Sequence, residues 1–130
     1  TAPAATAAES VAEPAAEAMS HDERFLAEVT QLVEREIDSS ELTVASLAAR
    51  AGTSPKQLYR RLKALTGCTP VDYIRTIRIK RAAIMLSQGR FTVQEVMYSV
   101  GFSDHSYFAR CFRAEFGCTP SQFLKNRPET

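Results

Sequence analysis

The 130 residues carry 16 Lys and Arg against 15 Asp and Glu, a formal net charge of +1, with 45% apolar residues and no Trp. A chain of this size suits one compact domain plus a tail, and no apolar run approaches the ~20 residues of a helical membrane span. Cysteines at 68, 111 and 118, odd in number and without a CxxC pair, argue against a disulfide framework and fit a reducing cytoplasm.

The near-neutral total hides a division. Residues 1–41 hold 10 acidic and 2 basic side chains, a balance of −8, and residues 42–130 hold 14 basic and 5 acidic, a balance of +9. Within 54–81, Lys56, Arg60, Arg61, Lys63, Arg75, Arg78, Lys80 and Arg81 face Asp72 alone. Polyanion binding is the natural reading of such asymmetry, with a merely solvated charged face as the alternative.

Residues 1–19 are Ala, Glu and Pro with almost no large apolar side chains, so a flexible linker or tag is expected. They contain neither the basic nor the apolar region of a signal peptide. The chain starts at Thr1 rather than Met, which reads as a piece of a longer protein. Order should begin at Ser20, where Ser20-His-Asp-Glu23 has the form of a capping box. Phe25, Val29, Leu32, Val33 and Ile37 follow at helical spacing, while Glu28, Glu34 and Glu36 lie opposite. This acidic helix should pack on the core and point away from any polyanion.

From there the chain repeats itself. Residues 43–70, TVASLAARAGTSPKQLYRRLKALTGCTP, and 92–120, TVQEVMYSVGFSDHSYFARCFRAEFGCTP, both open on Thr-Val and reach a glycine nine residues later. Both close on Gly-Cys-Thr-Pro. The offset is 49 up to the glycine and 50 beyond it, so the second copy has one extra residue near Phe102. Thr and Ser caps, Pro at first helical positions and Gly at ends predict helices at 20–37, 43–51, 54–66, 70–88, 92–100, 104–116 and 120–126. The class is all-α, with two helix-turn-helix subdomains (20–68 and 91–127) joined by a long central helix within 69–90.

Leu47, Leu58 and Leu62 of the first copy correspond to Val96, Phe108 and Phe112 of the second, so each copy keeps a buried face. The opposite face of 54–66 presents Lys56, Gln57, Tyr59, Arg60 and Lys63. That of 104–116 presents His105, Ser106, Tyr107, Arg110 and Arg113. Arg60 and Arg110 are equivalent, and Arg suits bidentate contact with guanine in the major groove. The 70–88 helix, ~27 Å long at ~1.5 Å per residue, could hold two such helices in major grooves ~34 Å apart. Ser54, Arg78, Lys80 and Arg81 are further candidates for phosphate contact, with Arg78, Lys80 and Arg81 alternatively paired within the core.

These residues resemble the AraC/XylS family of bacterial transcription regulators. Residues 100–123, VGFSDHSYFARCFRAEFGCTPSQF, look like that family's second helix-turn-helix signature, and 47–63, LAARAGTSPKQLYRRLK, like its first. The resemblance implies a seven-helix domain that binds double-stranded DNA through its third and sixth helices, carried here by Lys56, Tyr59 and Arg60, then His105, Ser106, Tyr107 and Arg110. Met97 departs from the small Ala usual in the fifth helix. Residues 23–38, 59–67 and 73–80 are similar to a subset in which the domain is the output end of a response regulator or hybrid sensor kinase. An arabinose-regulator-like protein with an N-terminal sugar pocket is the alternative for the missing part. RNA polymerase and an upstream receiver or sensor domain are then the implied partners.

Neither a catalytic site, a cofactor nor a metal is expected. His21 and His105 are the only histidines, no phosphate loop, nucleophile elbow or HExxH occurs, and the cysteine spacing matches no zinc pattern. Seven short helices should also leave little volume for a small-molecule site, which typically needs ~300 Å³ or more. A helical protein-docking module is the competing reading, but docking requires neither a doubled arginine nor a basic rod.

Overall fold

The computed structural model describes residues 20–126, and the expected linker over 1–19 lies outside them. Seven helices follow in order: α1 (His21–Arg35), α2 (Val44–Arg50), α3 (Pro55–Thr66), α4 (Pro70–Gln88), α5 (Val93–Ser99), α6 (His105–Phe116) and α7 (Pro120–Lys125). No strand occurs among the described residues.

The boundaries follow the capping chemistry. Ser20, Thr92 and Thr119 each accept from the backbone N–H of their N3 residue while that residue's side chain accepts from the cap's own N–H. Each such cap stabilises its helix by about 1 kcal/mol. One boundary differs from expectation by more than a residue. α1 stops at Arg35 instead of reaching 37, because Glu36 leaves helical geometry (φ −120°, ψ 31°). The early exit carries Ile37 out of the first half of the molecule and onto the buried core of the second.

That core is one of two. Phe25, Val29 and Val33 from α1 pack with Leu42, Leu47, Ala48, Leu58, Leu62 and Ile74. Val96, Met97, Val100, Phe102, Phe108 and Phe112 pack with Ile79, Ala82, Ala83 and Leu86. α4 therefore gives its first turns to one cluster and its last turns to the other, and it packs against α1, α3, α5, α6 and α7. A helix used on several sides needs apolar residues around its circumference, and α4 buries Ile74, Ile79, Ala82, Ala83 and Leu86.

The two cores are filled differently. The buried residues of the first are aliphatic apart from Phe25, with Tyr73 packed at its edge. The second holds an aromatic series in which ring centroids lie 5.1 Å apart for Phe102 and Phe108, 6.1 Å for Phe108 and Phe112, and 5.3 Å for Phe112 and Phe123. Such pairs contribute about 0.5–1.5 kcal/mol each beyond their burial. Met97, 2% exposed, takes the place that Ala48 fills in the first copy, an unbranched side chain in a larger, ring-lined space.

Candidate nucleic-acid interface

α3 starts at Ser54, whose Oγ accepts from Gln57 N–H at 3.1 Å, and Pro55 occupies the first helical position. Leu58 and Leu62 are fully buried, which turns positions 56, 59, 60 and 63 outward, since residues three and four apart share a helix face. Lys56, Gln57, Tyr59, Arg60 and Lys63 are all exposed. Ser54 is exposed as well; its oxygen serves the cap, and its hydroxyl proton is left to donate. Arg61 sits at the edge of this face but turns back onto α1, with its guanidinium 3.8 Å from the Phe25 ring centroid and 3.0 Å from Asp22. Its tie to α1 was not visible in the charge pattern.

α6 repeats the arrangement after a longer turn. Four residues, 51–54, separate α2 from α3, and five, 100–104, separate α5 from α6, so the extra residue of the second copy lies in the turn and admits Phe102 to the core. Asp104 caps α6 by accepting from Tyr107 N–H at 3.0 Å. Phe108 and Phe112 point inward, while His105, Ser106, Arg110 and Arg113 are exposed. The Arg110 guanidinium lies 5.7 Å from the Tyr107 ring centroid, which pre-orders the longer side chain over the ring.

Tyr107 divides its surface. It is 38% exposed, yet its ring packs 5.8 Å from Phe102 and its hydroxyl accepts from Arg75 Nη1 at 3.3 Å. Arg75 also pairs with Asp72 one turn earlier on α4. The Tyr107 hydroxyl, and after it Asp72, hold the Arg75 guanidinium above its ordinary pKa against the opposing effect of burial. In the sequence Arg75 is one member of a basic run, and its i, i+3 spacing from Asp72 is its one local pairing signal.

Two of the candidate phosphate contacts have partners within the chain. Arg78 is half-buried and donates from Nε to the Ile37 carbonyl at 3.2 Å and from Nη2 to the Ser39 carbonyl at 3.1 Å. Burial lowers its pKa from the usual value, although a guanidinium stays charged. It fastens the α1–α2 connection to α4. Arg81 is exposed and lies 3.9 Å from Glu34 on α1. Lys80 is exposed and forms no ion pair among the described residues.

A cleft of about 410 Å³ opens between the halves, bordered by Leu42, Val71, Ile74, Phe102 and Asp104 together with Arg75 and Arg78. The three cysteines are free and half-buried. Among the described residues no group of three His, Cys, Asp or Glu could hold a metal ion, and no helix is long and apolar enough to cross a membrane.

A family described as a helix-turn-helix domain matches residues 47–126. Among curated relatives, a histidine kinase from Formosa agariphila is 35% identical over 108 residues, covering 83% of this chain and 8% of the kinase. The HTH-type transcriptional activator RhaS of Escherichia fergusonii is 34% identical over 82 residues, 63% of this chain and 30% of that protein. The chain thus spans well under half the length of these relatives. Of solved structures, an AraC-type transcriptional regulator from Chromobacterium violaceum superposes with a TM-score of 0.76 at 28% identity over 82% of this chain and 95% of that one. The DNA-binding domain of AdpA, solved with a target DNA, superposes with a TM-score of 0.69 at 30% identity over 77% and 89%. A doubled helix-turn-helix, its repeated basic faces and these matches agree: the chain belongs to the AraC-type helix-turn-helix family of DNA-binding transcription regulators.

Proposed function

We propose that α3 and α6 enter adjacent major grooves on one face of a duplex, and that the chain is the output module of a larger bacterial regulator that acts in the cytoplasm. The observation that carries this reading is the equivalence of Arg60 and Arg110, both exposed at the same place on capped helices with apolar backs. Arg60, Gln57 and Tyr59 on one helix and Arg110, His105 and Ser106 on the other read base edges. Lys56, Lys63, Arg113, Lys80 and Ser54 hold phosphates and set register. Nothing in this arrangement calls for turnover, and the chain's role is binding rather than catalysis.

Footprinting with the 130-residue chain tests it. Two protected blocks about one helical turn apart are expected; a single block at saturating protein would contradict the bipartite reading. The matched histidine kinase, of which this chain covers 8%, supports placement within a larger sensory protein. So does the C-terminal domain of AraT, a response regulator from Geobacillus stearothermophilus, which superposes with a TM-score of 0.74. The likeness to RhaS, an activator by name, supports activation through contact with RNA polymerase. Control then comes from an upstream receiver or sensor domain that pairs two copies and raises their avidity. A sugar or phosphodonor that changed the DNA affinity of the 130-residue chain several-fold would place the sensor inside it and overturn this part.

A further inference from the structure

The two halves share no buried cluster. Where they face each other there is the cleft of about 410 Å³ instead of close packing. Besides α4 itself, two bridges span that junction. In the first, the chain leaving α1 drops Ile37 onto the second core and offers its carbonyl to Arg78. Gly101, in the turn that aims α6, closes over the same point: a Cβ there would lie 2.4 Å from the Ile37 oxygen and 2.9 Å from the Arg78 guanidinium carbon. No side chain fits, so the turn seats directly on the first half's backbone. In the second bridge, Asp72 braces Arg75, and Arg75 donates to the hydroxyl of Tyr107 in the first turn of α6. One bridge fixes the turn before α6 and the other fixes the first turn of α6 itself. Two separated points of attachment restrain both the position and the rotation of a rod.

We propose that Ile37, Arg78 and Gly101 together with Arg75 and Tyr107 form a joint that fixes α6 relative to α3, making these residues the determinants of the half-site spacing the protein accepts. The inference rests on the bipartite reading above. A rigid joint pre-organises both helices for one spacing and so avoids an ordering cost on binding. The same rigidity penalises any other spacing, because the second contact is lost when geometry forbids simultaneous engagement. Arg75 and Arg78 act here as positioning residues, and neither needs to touch a base.

The test uses the 130-residue chain and the tightest duplex selected from a random pool, with derivatives carrying one base pair inserted or removed between the two contact blocks. Each such change moves the second block by ~3.4 Å and rotates it by about a tenth of a turn. Wild type should lose roughly tenfold or more in affinity on the altered duplexes, the scale of a lost second contact. Arg75→Gln and Tyr107→Phe should each weaken binding at the native spacing and shrink that penalty to about threefold or less, as expected when pre-organisation is removed. The double variant should go no further, since the two residues form one link. Gly101→Ala should act similarly through the other bridge if it folds. A lost phosphate or base contact, or reduced stability, would weaken all duplexes by one factor and leave the ratio unmoved. Variants that keep the wild-type ratio overturn the joint, as does a wild type that gives two protected blocks yet is indifferent to spacing. A wild type with one block overturns the bipartite reading instead.

Discussion

Gly52 and Gly101 occupy the same place in two copies of one unit, and both have positive φ, +74° and +91°. Around Gly52 there is open space; around Gly101 there is a carbonyl and a guanidinium. The first glycine serves its turn alone, and the second serves the turn and the contact between halves. A repeated motif therefore conserves local geometry while its surroundings assign each copy a different task. The same divergence runs through the pair. The first unit has an aliphatic core and a recognition helix with four basic residues and no acid, and the second has an aromatic core and a recognition helix with Arg110 and Arg113 offset by Glu115. On the reading proposed above, the first attracts a polyanion and the second is held in register.

The sharpest way to break this contrast is at the glycines. Gly52→Ala should cost about 1–2 kcal/mol, the strain of a left-handed backbone. Gly101→Ala adds a steric conflict with backbone and should cost about 2–5 kcal/mol. Urea denaturation of both variants measures the difference, and equal losses would mean that the junction yields freely.

Next in size is base discrimination. Arg60→Ala and Arg110→Ala should each relax preference by about 1–3 kcal/mol, in opposite halves of the site. Repeating the site selection with each variant shows which half is affected. An Arg110→Ala chain with unchanged selectivity in both halves would make Arg110 a phosphate or structural residue.

A smaller effect separates the helices electrostatically. If about six phosphates are neutralised, log K against log salt should have a slope near −5, and Lys56→Ala or Lys63→Ala should each reduce it by about 0.9. His105→Ala and Ser106→Ala should leave the slope alone and alter base preference. Titrations at three or four salt concentrations suffice, and a flat wild-type dependence would remove the basis for treating the basic region as a phosphate surface.

The smallest change is expected from Arg81→Ala. As half of an exposed pair with Glu34, Arg81 should contribute about 0–1 kcal/mol to stability and nothing to DNA affinity. Uniformly weaker binding to every duplex would restore it to the phosphate surface.

The architecture was legible before any coordinates because its signals are local. Caps such as Ser20 and Thr92 satisfy amides three residues away, and Leu58 and Leu62 declare a buried face by spacing alone. The exposed faces of α3 and α6 followed from the same periodicity. Contacts across many residues left no such trace. Arg78 bonds to carbonyls at 37 and 39, Arg75 meets Tyr107 some thirty residues on, and Arg81 meets Glu34 on α1. In sequence all three arginines are interchangeable members of a basic run. Only the fold distinguishes a cation that faces solvent from one that fastens backbone.

The twice-used Gly-Cys-Thr-Pro junction has a consequence for engineering. At 67–70 and 117–120 the backbone follows the same path, with glycine φ of 77° and 81° and threonine ψ of 161° and 162°. Each threonine Oγ1 accepts from the amide three residues on, at 3.2 Å. The helices that precede these junctions, α3 and α6, are both twelve residues long. Outward residues can therefore be exchanged position for position at a fixed offset of 50 while each copy keeps its own inward residues. Moving Lys56 and Lys63 onto positions 106 and 113, either side of the arginine already at 110, would give both helices the same basic stripe, a route to regulators that favour direct repeats.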